Sequence, residues 1–260
     1  MNEVNKTLYI PLYGKALVSR RGIILNDPKA EEIWEKVGFP LKGKSSSKWL
    51  AFYMAMRSAV FDRWLEQQMA EDPHAVILHI GCGMDSRILR VGNRDHLWYD
   101  VDFPEVIHQR KAHYGDIPGY TMVASDARDP AWLETVPSNR NAIVVLEGIS
   151  MYMTNDDLLA VLAGLKHHFP KVRLLMDCYT TVAAKASKYR NPINDVGVTT
   201  VHGLDDPKNL EASGLVFLKE HSLTPDIMIN ELSGVEKWIF RTLYAGSIAK
   251  AMYRLYEFHS

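Results

Sequence analysis

The stretch Val76-Ile77-Leu78-His79-Ile80-Gly81-Cys82-Gly83-Met84-Asp85-Ser86-Arg87 decides the fold. A short run of largely apolar, partly β-branched residues leads straight into Gly-x-Gly, as in a buried parallel strand that ends in a tight loop. Glycine lets the backbone turn sharply there and admits a ligand without a Cβ in its path. The residues from Asp85 to Gly92 are expected to open a helix whose unpaired N–H groups face the loop. Gly-x-Gly alone is a weak sign, because a dinucleotide fingerprint wants a third small residue where Ser86 and Arg87 stand. Weight comes from Leu97-Trp98-Tyr99-Asp100-Val101-Asp102. This reads as a second strand ending in carboxylates, about 20 residues on, where an adenosine ribose is expected to be held.

Outward from this pair the chain alternates strand and helix. Tyr120–Ala124 reads as a third strand, followed by Ser125-Asp126-Ala127-Arg128-Asp129-Pro130. Asp126 could accept from an adenine amino group or cap the next helix, and on its own the cap is favoured. Ala142–Leu146 is the clearest buried strand and ends in Glu147-Gly148; Val172–Asp177 is a fifth and Leu215–His221 a sixth. Helices are expected from Val106 to about Tyr114 and from Asp156 to Phe169, the latter capped by Thr154. Upstream, Asp27-Pro28 starts a helix that closes at Gly38, and Trp49–Met69 has a strong helical pattern with Arg57 inside it. An arginine in such a place more often snorkels than binds a ligand, and the basic cluster Lys15, Arg20 and Arg21 reads as solvated. After Asp177 the alternation lapses. Tyr179–Pro207, interrupted by Pro192, Gly197 and Gly203, reads as an insertion over the carboxyl ends of the strands. Pro225–Lys250 is expected to be helical, and Met252–Phe258 to be a closing edge strand. The expected division is residues 1–70 as an N-terminal helical cap segment and 71–260 as the core, with a cap insertion at about 179–210.

Composition narrows the function. The chain has 260 residues, 47% hydrophobic and 23% charged, with a formal net charge of -1. A nucleic-acid binder usually carries a basic excess, so no nucleic-acid partner is expected. Two cysteines, Cys82 and Cys178, make neither a disulfide framework nor a Cys-rich metal site. No apolar stretch approaches a membrane span and Met1–Tyr9 lacks a signal pattern, so a reduced, cytoplasmic protein is expected. Among the ten histidines, His108 and His113 diverge on a helix, as do His167 and His168, and no metal is expected.

Taken together, these pieces resemble the leucine carboxyl methyltransferase family of class I S-adenosylmethionine-dependent methyltransferases, and most closely its bacterial polyketide O-methyltransferase branch. The resemblance rests on the basic, aromatic amino terminus with Asp27-Pro28-Lys29-Ala30 and the Arg57 helix. It continues through Gly81–Arg87, Tyr99–Val106, Asp126-Ala127-Arg128-Asp129 and Glu147-Gly148-Ile149-Ser150-Met151-Tyr152-Met153-Thr154, in the family order. It implies an α/β, Rossmann-like, mostly parallel sheet of seven strands with the last antiparallel, covered by N-terminal helices and the insertion. It also implies that Lys15 and Arg57 bind the carboxylate end of S-adenosylmethionine and that Gly81, with Gly83 in the same loop, lies under its methionine part. Asp102 would take the ribose hydroxyls, Asp126 with Ala127 would flank the adenine, and Glu147 would line the amino-acid portion. The chemistry agrees, since guanidinium and ammonium groups match a carboxylate and a carboxylate matches a ribose diol.

Methyl transfer from a sulfonium needs an aligned nucleophile and little else. A carboxylate acceptor is already ionised at neutral pH, in keeping with the absence of a Ser-His-Asp set or an acid–base pair. A phenol would gain from a base, for which His202 or His221 would be candidates. Tyr152 is the candidate to pack beside the methyl group or orient the acceptor. The expected activity is O-methylation of a small molecule, at a carboxyl group. Methylation of a protein's terminal carboxylate, a cofactor-binding module without turnover, and an NAD-dependent oxidoreductase are the alternatives. The missing third glycine counts against the last. The sequence sets no oligomeric state.

Overall fold

Strands buried at every position must be covered on both faces, and Val76–Ile80 (β1) and Ala142–Leu146 (β4) are such strands. They lie side by side, parallel, at the centre of one seven-stranded sheet. The computed structural model describes residues 7–190 and 200–260. The other strands are β2 (Trp98–Asp102), β3 (Tyr120–Ala124), β5 (Val172–Tyr179), β6 (Val216–His221) and β7 (Tyr253–His259), and the order across the sheet is β3-β2-β1-β4-β5-β7-β6. The chain steps outward from β1 to β2 and β3, then returns to β4 on the other side. The strand order therefore reverses between β1 and β4, where an open α/β sheet leaves a crevice at the carboxyl ends.

β7 is not the edge strand expected from its place in the chain. It inserts antiparallel between β5 and β6 and pairs with both. Tyr253, Leu255, Tyr256 and Phe258 are buried there, whereas Val216 and Leu218 of β6 are half exposed. Adjacency in sequence gives no register for a strand that returns across the sheet, so this position is not readable locally.

The helices are α1 (Tyr9–Arg20), α2 (Pro28–Val37), α3 (Lys48–Glu71), α4 (Arg87–Val91), α5 (Pro104–Lys111), α6 (Asn155–His168), α7 (Thr181–Arg190), α8 (Asp226–Ile229), α9 (Gly234–Leu243) and α10 (Ser247–Lys250). Two of the expected caps form. Asp27 accepts from Ala30 N at 2.9 Å, and Thr154 and Asp157 complete a reciprocal capping box at the start of α6. α1 is a helix that the sequence pattern does not announce; its buried face is Ile10, Leu12, Ala16 and Val18, packed on α2 and α3. α3 is buried through every residue from Ala55 to Phe61, because α1 and the sheet enclose it from different sides. The helical span expected over Pro225–Lys250 is three short helices instead. Pro192 and Gly197, expected to break the insertion, lie outside the described residues. Among the described residues no helix is long and apolar enough to cross a membrane.

Candidate active site

The crevice at the reversal of strand order is a cavity of about 700 Å³. Lys15, Arg57, Gly81, Gly83, Asp102, Asp126, Ala127, Glu147 and Tyr152, the nine residues singled out from sequence, all line it. They come from six separate segments, so it is the fold that brings them together.

The loop after β1 is fixed first. Gly81 has φ +71°, and a Cβ there would lie 2.1 Å from Cγ2 of Ile149, so glycine is needed both for the turn and for the approach of the next loop. Asp102, at the end of β2, accepts from Gly83 N at 2.7 Å and from Phe103 N at 2.8 Å. Burial raises its pKa, and these two N–H groups only partly offset the rise. Asp126 does not cap the next helix; Asp129 does, accepting from Ala131 N. Asp126 instead pairs with Arg128, whose Nε lies 3.0 Å from Oδ1, at the exposed rim.

Lys15 and Arg57 are both buried, unlike Arg20 and Arg21, which lie on the exposed end of the same segment as Lys15. Lys15 Nζ lies 3.1 Å from Asp85 Oδ2. Arg57 is not a snorkelling residue. Its Nε donates to Glu147 Oε1 at 3.1 Å, its Nη1 to Tyr253 Oη at 2.8 Å, and Nη1 is 3.0 Å from Asp177 Oδ2. Glu147 also takes Arg87 Nη2. Burial opposes the charge on Glu147, but Arg87 and Arg57 outweigh it and hold the carboxyl down at about 2.

Sequence reasoning missed the rest of this ion cluster. Arg87 also pairs with Asp62 at 2.7 Å, and Arg90 with Asp27, Asp62 and Asp85 at 2.6, 2.7 and 2.8 Å. Asp27, read only as a cap, thus also anchors Arg90. The one readable signal is Arg57, an isolated charge in an otherwise apolar stretch of helix, which cannot be buried unpaired. Among the described residues the cluster sets four cations, Lys15, Arg57, Arg87 and Arg90, against five carboxylates, Asp27, Asp62, Asp85, Glu147 and Asp177. Of these only Lys15, Arg57, Asp85 and Glu147 line the crevice; with Arg128, Asp102 and Asp126 the described lining sets three cations against four carboxylates, a slight negative excess that suits a cationic ligand. Asp100 instead receives the Arg110 guanidinium, the Tyr120 hydroxyl and Trp98 Nε1, behind the glycine loop.

At its other end the cavity is walled by Tyr53, Met54, Tyr179, Ala183, Tyr244 and Met252. Tyr152 is half-buried, with its hydroxyl bonded to the Thr7 side chain, and desolvation raises its phenol pKa, so it stays protonated at neutral pH. His202 does not line this cavity. His221 lies in a smaller one of about 250 Å³ and pairs with Glu257 at 2.6 Å. Neither histidine reaches the place of a base. Among the described residues no group of three or more His, Cys, Asp or Glu side chains could hold a metal ion.

The comparisons agree with this geometry. The model of the leucine carboxyl methyltransferase family matches residues 3–166. The chain is 31% identical to the tetracenomycin polyketide synthesis O-methyltransferase of Streptomyces glaucescens, over 92% of this chain and 90% of that one. It is 28% identical to an S-adenosyl-L-methionine-dependent methyltransferase of Gibberella zeae, over 81% of this chain and 78% of that one. In fold it is similar to the magnesium protoporphyrin IX methyltransferase of Synechocystis crystallised with bound S-adenosylhomocysteine, with a TM-score of 0.53, 12% identity and coverage of 95% and 99%. The crevice, its negative excess and the family match agree: the chain belongs to the leucine carboxyl methyltransferase family and is an S-adenosylmethionine-dependent methyltransferase.

Proposed function

We propose that the protein methylates an oxygen of a small-molecule acceptor, at a carboxylate. The supporting observation is how the charges are distributed around the cavity. Its carboxylates, Asp85, Asp102, Asp126 and Glu147, stand at or past the carboxyl ends of β1 to β4, while the rest of the described lining offers mainly hydroxyls, aromatic rings and apolar groups. No described side chain there is placed to take a proton, which suits an acceptor that arrives ionised.

When bound, S-adenosylmethionine supplies an electrophilic methyl group on a sulfonium. The residues of this chain then bind, align and exclude water. Lys15 and Arg57 meet the cofactor's carboxylate, and Glu147 faces its amino-acid portion while keeping Arg57 in place. Gly81 and Gly83 leave the loop free of side chains. Asp102 uses two of its roughly four acceptor positions on backbone N–H groups, which leaves two for the ribose diol. Asp126 and Ala127 flank the adenine at the rim. Tyr152, a donor at neutral pH, orients the acceptor. The described N-terminal helices, between residues 7 and 70, and the described parts of the insertion, residues 179–190 and 200–210, act as the cap over both ligands. The two thiols, Cys82 and Cys178, are free and buried, which fits a reduced cytoplasmic setting.

Calorimetric titration with S-adenosylmethionine, S-adenosylhomocysteine and NAD, followed by turnover on paired aromatic carboxylic acids and phenols, tests this. Micromolar binding of the first two, no NAD binding, and methyl ester formation that is flat between about pH 6 and 8 are expected. Ether formation from phenols that rises with pH, with no ester product, would overturn the carboxylate assignment.

A further inference from the structure

Tyr253 lies on β7, beyond the part of the chain that the family model matches, yet its hydroxyl sits in the cofactor end of the cavity. It donates to Asp177 Oδ2 at 2.6 Å and accepts from Arg57 Nη1 at 2.8 Å. Asp177, in the last third of β5, is fully buried and is fixed from its other side by Gly148 N, which donates to Oδ1 at 2.7 Å. Gly148 in turn has φ +74°, which favours glycine, and a Cβ there would lie a tight 3.2 Å from both Nη1 and Nη2 of Arg57. The guanidinium is therefore held at three points: Nε on Glu147, Nη1 on the Tyr253–Asp177 pair, and its outer Nη1–Nη2 edge beside Gly148. Among the described residues Nη2 has no hydrogen-bond partner, and it is this nitrogen that is left to the ligand.

We propose that Tyr253 and Asp177 are positioning residues that turn the Nη2 edge of Arg57 toward the cofactor's carboxylate. This rests on the assignment of Arg57 to that carboxylate. Asp177 alone could hold the charge, as Nη1 is 3.0 Å from its Oδ2. An ion pair without the hydroxyl lets the planar fork swing to a two-point contact with Asp177 and turn its free edge away. The hydroxyl, a donor to the acid and an acceptor from the arginine, blocks that swing. The Tyr253 ring packs against Tyr179 with centroids 5.0 Å apart and also lines the smaller cavity, so the hydroxyl is delivered by a ring that is itself held.

The test is calorimetric titration of wild type, Tyr253→Phe and Asp177→Asn with S-adenosylhomocysteine and with its decarboxylated analogue, which keeps the amine. Tyr253→Phe should weaken S-adenosylhomocysteine about tenfold, as for one hydrogen bond to a charged group, and leave the analogue within about twofold. Asp177→Asn keeps the shape of the acid and should give the same selectivity, so it carries the test if Tyr253→Phe does not fold. Equal loss for both ligands, or unchanged or tighter binding of S-adenosylhomocysteine, would overturn the proposal. If wild type shows no preference for the carboxylate-bearing ligand, the assignment of Arg57 itself falls.

Discussion

The two ends of the cavity are built on different terms. The end at the glycine loop is charged, and several of its side chains are held by more than one partner; Glu147, for instance, receives Arg57, Arg87 and the Ser58 hydroxyl. The acceptor end is walled by rings and methionines that touch through dispersion, as in the stacking of Tyr244 on Phe240. A bound cofactor of constant shape and charge can be met by a rigid ion lattice, whose cost of desolvation is offset only by near-complete pairing. An acceptor recognised through apolar area sets no such demand on any one residue, so that wall is free to vary. Substitutions in the first end should therefore damage folding and cofactor binding together, and in the second should move acceptor parameters alone.

The largest break expected is Glu147→Gln. It leaves Arg57 and Arg87 short of a buried counter-charge, and such losses cost about 3–5 kcal/mol. Chemical denaturation should show that loss, and a change under about 1 kcal/mol would mean that the ion lattice is slack. Gly81→Ala follows, at on the order of 3 kcal/mol, from a positive φ and the overlap with Ile149. Cofactor affinity should fall with it. Gly83→Ala has φ +51° but a Cβ that would meet only Leu8 at 3.4 Å, so it should cost less. Equal effects at the two glycines would show that backbone strain, not packing against Ile149, governs the loop.

That contrast also explains what could be read in advance. β1 to β4 announce themselves as apolar runs, and Gly81, Asp102, Asp126 and Glu147 sit at or just past the ends of those runs, so position along the chain is position in the crevice. Arg57 and Lys15 come only through family resemblance, because a helical arginine or lysine says nothing about where it points. Asp85, Arg87, Arg90 and Asp62 are invisible as a set, since they meet across elements up to 28 residues apart. Tyr253 and Asp177 are harder still: their contact with Arg57 depends on β7 lying between β5 and β6, the one strand placement that sequence adjacency misjudges.

Asp102→Ala should weaken S-adenosylhomocysteine by about 2–3 kcal/mol through loss of charge-assisted hydrogen bonds to the ribose, with a smaller change in stability. Unchanged affinity would place ribose recognition elsewhere. The pH dependence separates the two carboxylates. Glu147 has its pKa depressed, so its contribution to stability is present above the ordinary carboxylate range, near pH 4.3, and is lost as pH falls toward about 2. Asp102 has its pKa raised, so its ionised form is the costly one and protonation on acidification relieves the free protein while abolishing a ribose acceptor. Cofactor affinity should therefore decline at a higher pH than that at which the fold fails. Coincident loss of binding and folding on an acid titration would contradict this ordering.

The smallest effect is expected at Tyr152, where the two ends meet. Its hydroxyl bonds to the Thr7 side chain, and burial keeps the phenol protonated at neutral pH, so it can donate to an acceptor oxygen and cannot take a proton from one. Tyr152→Phe removes one neutral hydrogen bond, about 1 kcal/mol, which corresponds to roughly a fivefold fall in kcat/KM at most. The pH profile with a carboxylate acceptor should keep its shape, since no titrating group has been removed. A loss of about a thousandfold or more, or the disappearance of a basic limb from the profile, would make Tyr152 the proton acceptor and move the substrate class from carboxylates to phenols. The size of this one change thus decides whether the uncharged end of the cavity only holds the acceptor or also activates it.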